Sequence, residues 1–199
     1  MKISRTVPIP LLLASALAAA QTRPYVDERT GVDAWRFEDG ALQVDLVQRL
    51  PDQTRAFFLG RGFSRASVDH LAERCLFQTI IHNTAENVDT GPIITLDLAQ
   101  WRARTDATWQ PLILKRQWQQ DWQQRRESQA ARIAFQWALF PTEQQFRPGD
   151  WNMGMTTYPA APGERIDIQV VWRQNGERHS GIIAGPVCGH NSMATEILQ

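Results

Sequence analysis

Neither charge is in excess in this chain: 21 Lys and Arg stand against 21 Asp and Glu over 199 residues. Such a balance supplies no electrostatic footprint for nucleic acid or an anionic bilayer, so neither is expected as a partner. Catalytic motifs are missing as well. There is no G-x-S-x-G elbow and no H-E-x-x-H, and Gly60-Arg61-Gly62 fails as a dinucleotide loop because Arg65 stands where a third glycine belongs. The carboxylates are scattered, and His70 points about 100° away from its helical neighbour Asp69. Nothing in the sequence supports an enzyme, although a hydrolase or other enzyme stays open as a third reading. Cysteine is limited to Cys75 and Cys188, and beyond its first residues the chain has no apolar run of membrane-spanning length.

What is present begins at residue 1. Lys2 and Arg5 precede an apolar stretch from Ile9 to Ala18, and Ala18-Ala19-Ala20 offers small residues for cleavage. This pattern is that of a secretory signal peptide over 1–20, too short to span a membrane. The expected location is the periplasm or the exterior. Loss of Lys2 and Arg5 leaves 19 basic against 21 acidic groups, still close to neutral. In an oxidising compartment the two cysteines are most simply one disulfide. Closing so long a loop is worth roughly 4–5 kcal/mol in the chain-entropy treatment.

Periodicity points to a mainly β domain over 35–199, preceded by a loose polar arm over 21–34. Leu42, Val44 and Leu46 alternate with polar neighbours, as do Ile94, Leu96 and Leu98, and Cys75 to His82 is rich in β-branched and aromatic residues. A strand is also expected over Arg55 to Leu59 and another from Ile133 to Leu139, where Ile133, Phe135, Trp137 and Leu139 alternate. Ser64 is placed to cap a short helix from Arg65 to Arg74. Between 115 and 131 the chain lacks Gly and Pro, and Leu114, Trp118 and Trp122 recur every four residues, which predicts a helical insertion with one apolar stripe.

Ile166, Ile168, Val170 and Trp172 alternate up to Asn175-Gly176, the strongest short hairpin signal because a type I′ turn needs two residues with positive φ. That turn fixes the register: Trp172 opposite His179, Ile168 opposite Ile183, Ile166 opposite Gly185. Pro186 then ends the strand. The sum of these elements is an antiparallel, immunoglobulin-like β-sandwich with one or two helical insertions, stapled by Cys75 and Cys188.

Two groups of residues carry chemistry. Apart from Met1, the methionines are Met153, Met155 and Met193, all in the last quarter of the chain. Met153 and Met155 face the same way on an extended strand, and His190 and Met193 follow Cys188. Thioether and imidazole together suit Cu(I), so the leading expectation is a copper-binding or copper-transfer protein with Met153, Met155, His190 and Met193 as ligands. His82 and His179 are weaker ligand candidates. The second group is basic and aromatic: Arg55, Arg61 and Arg65 lie among Phe57, Phe58 and Phe63, and guanidiniums beside rings receive anions or stack on partners. With the Trp118–Trp122 stripe, they offer the alternative expectation of an accessory module docking on a periplasmic protein complex.

Overall fold

The computed structural model describes residues 21–191. The signal peptide expected over 1–20 and Met193 lie outside the described residues. Chain order runs β1 (Gln21–Val26), β2 (Asp33–Asp39), β3 (Leu42–Gln48), α1 (Pro51–Leu59), α2 (Arg65–Ala72) and β4 (Cys75–Asn83). Then come β5 (Ile94–Asp97), a 3-10 turn at Leu98–Gln100, β6 (Arg102–Arg104), β7 (Trp109–Pro111), α3 (Lys115–Gln124) and α4 (Gln129–Ala138). Four strands complete it: β8 (Glu143–Phe146), β9 (Trp151–Tyr158), β10 (Asp167–Gln174) and β11 (Glu177–Ile183).

The strands form two antiparallel sheets. The first has the order β1-β2-β3-β4-β9. In the second, β10 is central, with β11 along one flank and β5 and β6 sharing the other. β8 pairs with β5 and β7 with β6. Alternation decides which side chains meet between the sheets: Phe37, Val44 and Phe77 from the first pack with Leu96, Ile168 and Trp172 from the second in one buried cluster. Phe37 meets Trp172 edge-on with centroids 6.1 Å apart. Each fully buried side chain of this kind contributes about 1.5–3 kcal/mol. The Cys75–Cys188 disulfide lies in the same cluster.

The opposite face of the first sheet carries a third layer. Phe58, Val68, Trp118, Trp122 and Phe135 from the four helices close over Leu76 and Met155 in a second cluster. Two of the helices, α2 and α4, start at serine caps: the Ser64 hydroxyl accepts from the Ser67 amide and the Ser128 hydroxyl from the Ala131 amide. Beyond α4, Phe140 donates its amide to Met155 and Leu139 bridges Met155, so the chain runs along the outer edge of β9. Only glycine fits at 154, because a Cβ there would stand 2.4 Å from the Phe140 nitrogen.

Five expectations need correction. Residues 21–34 are not a loose arm: Gln21–Val26 pairs in register with Asp33–Glu38 as the edge of the first sheet. Arg55 to Leu59 is helical, opened by Pro51 at its first turn, with Thr54 and Phe58 inward. The single insertion over 115–131 is two helices, separated at Arg126, whose φ is +57°. The strand expected from Ile133 to Leu139 belongs to the second of them. The C-terminal hairpin follows the expected register from Ile168–Ile183 to the turn, with Asn175 and Gly176 at φ +51° and +87°. Past Ile183 it slips by one residue: Ile166 donates to Pro186 rather than opposing Gly185, and Arg165 bridges Val187. Gly185, at φ +78°, absorbs the bulge.

Candidate interaction face

Register places three rows of side chains on the outer face of the first sheet: Tyr25, Val47, Gln78 and Met155; Arg36, Asp45, Ile80 and Met153; Gln43, His82 and Trp151. The helices cover the Met155 end. Trp118 and Trp122, expected as a docking stripe, are instead 2% and 1% exposed and stack on each other at 4.9 Å. The Trp118 indole N–H donates to the Thr157 hydroxyl at 2.8 Å. Both rings also meet the edge of His70, whose Nε2 lies 2.9 Å from the Asp121 carboxylate, tying α2 to α3. Glu127, in the turn before α4, accepts from the Ser64 amide and hydroxyl at the start of α2. Burial opposes its charge, but the hydrogen bonds from Ser64 and Ser67 hold its carboxyl below the usual range.

Away from the helices the same face closes itself with polar groups. Asp45 is 4% exposed because Arg36, Gln43 and Tyr25 all bond its carboxylate, Arg36 Nε at 2.7 Å. Burial and the charge of Asp45 push the Tyr25 hydroxyl up to about 12. Tyr158, on the inner face, is pushed up by complete burial.

Exposed apolar side chains lie on α4 and β9. Trp137 on α4 is 85% exposed and Ile133, one turn earlier, 47%. On β9, Trp151 is 58% and Met153 44% exposed. α4 packs on β9 and ends at the Leu139–Met155 bridge, so these four side chains are carried by two packed elements. Beside it, between α3 and α4, is a cavity of about 200 Å³ lined by Gln119, Gln129, Arg132, Ile133 and Gln136. The Nε of Arg132 is buried with no hydrogen-bond partner among the described residues.

The described members of the ligand set read from the sequence, Met153, Met155 and His190, are not brought together. Met153 and Met155 do share a face of β9, but Met155 is 3% exposed within the helical cluster. Cys188 is bonded to Cys75, which opposes Tyr158, and His190 lies against Gly163 just beyond. The five steps from Met153 to Tyr158 span about 17 Å of strand, so Met153 and His190 sit at opposite ends. What the register does place beside Met153 is His82, directly opposite Trp151. Among the described residues no three His, Cys, Asp or Glu side chains group as metal ligands. His179 stacks on Trp172 at 5.5 Å.

The basic residues have their own partners. Arg55 pairs with Asp52 and Asp69, and Arg65 is exposed without a described bond. Arg61 lies over the Phe57 ring at 3.3 Å. Sequence reasoning missed Ile133, Trp137, Trp151 and Arg49; only a helical phase for 129–138 would have exposed the first two. No protein-family model, curated protein or solved structure matches this chain.

Proposed function

We propose that this protein is an exported, non-enzymatic accessory module that docks on a protein partner through the surface formed by α4 and β9. One observation carries the reading. Of nine large apolar side chains left exposed among the described residues, four (Ile133, Trp137, Trp151 and Met153) fall on these two packed elements. Exposed apolar side chains gathered on one surface mark interaction sites, and Trp and Met are enriched in them. The unpaired Arg132 Nε beside the cavity adds a donor that a partner would satisfy. The disulfide supports export, since such bonds persist in oxidising compartments. The immunoglobulin-like reading of the sandwich rests on two facing antiparallel sheets and a staple, with the helical layer as an addition to that plan.

A photo-cross-linking residue at position 137, in the native compartment, should give a discrete adduct. The same residue at 178, on the β11 hairpin, should not. Equal labelling at both positions would refute this assignment. A copper reading survives in altered form, favoured by the placement of Met153, His82 and Trp151 on one open face. Thioether, imidazole and an indole face form a soft environment for Cu(I). Titration against a competing Cu(I) chelator tests it: affinity unchanged by Met153→Ala and His82→Ala together would remove the site.

A further inference from the structure

The fold sorts the arginines around Phe57 into those with counter-charges and those without. Arg55 is held by Asp52 at 2.9 Å and Asp69 at 2.7 Å. Arg61, just past α1, and Arg49, just past β3, both lie on the Phe57 ring. Their guanidinium carbons stand 3.3 and 5.5 Å from the ring centroid, hence within about 9 Å of each other, close enough for like charges to repel. No carboxylate forms an ion pair with either one among the described residues.

Arg49 is the more exposed to this imbalance energetically, although it is the less exposed to water. Its Nε is buried with no hydrogen-bond partner among the described residues. Burial and the charge of Arg61 both push its guanidinium below the usual range. Two like charges, one partly desolvated and one donor unpaired, form an arrangement that a bound anion relieves.

We infer that Arg49 and Arg61, both against the Phe57 ring, form a receptor for a compact oxyanion, a phosphate or carboxylate group. Arg61 commits one nitrogen, Nη1, to the Phe57 carbonyl at 2.8 Å and keeps its others for a ligand. A separation no greater than about 9 Å lets one oxyanion reach both guanidiniums through charge-assisted bonds of about 2.8 Å. The planar forks of arginine suit both phosphate and carboxylate. The site uses no residue of the α4/β9 surface, so it stands or falls separately.

Calorimetric titration of the full chain with sodium phosphate and with sodium succinate, each against sodium chloride at equal ionic strength, tests it. Binding of at least one oxyanion is expected. Arg49→Met and Arg61→Met should each weaken it roughly ten-fold or more, and Arg65→Met should leave it unchanged. Binding of phosphate alone identifies a phosphate group as the natural source, and binding of succinate alone a carboxylate. Arg61 is on the surface, so Arg61→Met folds even if Arg49→Met does not. Unchanged affinity in Arg61→Met, or no binding above the chloride control, would overturn the site.

Discussion

Met155 and Met153 stand two residues apart on β9 and face the same way, yet one is 3% exposed and the other 44%. Nothing local separates them. The helical layer ends between them, so the outer face of the first sheet has a covered half and an open half. Under the cover, apolar side chains meet Trp118, Trp122 and Phe135. In the open half the sheet is sealed by Asp45 and the three side chains that bond it. Burial on this face is thus set by which elements lie over it, and apolar residues beyond the cover stay exposed.

The comparison is broken most directly by removing the cover. Trp122→Ala should cost about 3–5 kcal/mol, read as a lower denaturation midpoint, because it empties the centre of the helical cluster. A loss below about 1 kcal/mol would mean that the helices are not seated on the sheet. Glu127→Ala should cost less, about 1–3 kcal/mol, by leaving the start of α2 without its acceptor. The sign with pH follows from the lowered carboxyl of Glu127: its contribution is present above the unfolded pKa and is lost as pH falls through the folded value. Glu127→Gln should therefore flatten the acid limb of the stability curve.

The legible parts of the fold were those with a single local cause. Asn175-Gly176 admits one turn, and the hairpin follows it to Ile183. Cys75 and Cys188 had no other cysteine to pair with. The misread parts had two causes acting together. On α4 the inward residues are Ala131 and Phe135, and the outward ones Ile133 and Trp137. Two apolar stripes on opposite sides of a helix produce an alternation that looks like a strand. The feature that hid the helix is the same one that makes its outer side a candidate interaction surface. Arg55 to Leu59 misled differently, since Pro51 and the inward Thr54 mark the helix but a short aromatic run dominates the pattern. Sequence distance groups Met153 with His190, but it says nothing about position along β9.

The open half is tested by its tyrosine. The chain has two, Tyr25 and Tyr158, and burial raises both. For a phenol whose folded pKa is raised, the stability contribution is full below the unfolded value of 10.0 and is lost as pH climbs toward about 12. Ultraviolet titration of the folded protein should show no tyrosinate near pH 10, with ionisation appearing at about 12 or on unfolding. One tyrosine ionising at its ordinary value would mean that β1 does not seal Asp45 and that 21–34 is a loose arm after all.

The smallest expected change in stability is the most informative about function. Trp137 is 85% exposed, so Trp137→Ala removes little buried area and places a better helix former on α4. Its denaturation midpoint should stay within about 0.5 kcal/mol of the parent, an order of magnitude below the effect at Trp122. A midpoint unchanged to that extent would show that the fold does not need this ring, as the proposed docking role requires. If Trp137→Ala instead costs more than about 1 kcal/mol, the ring packs on its own chain, and the interaction surface contracts to Trp151 and Met153 on β9.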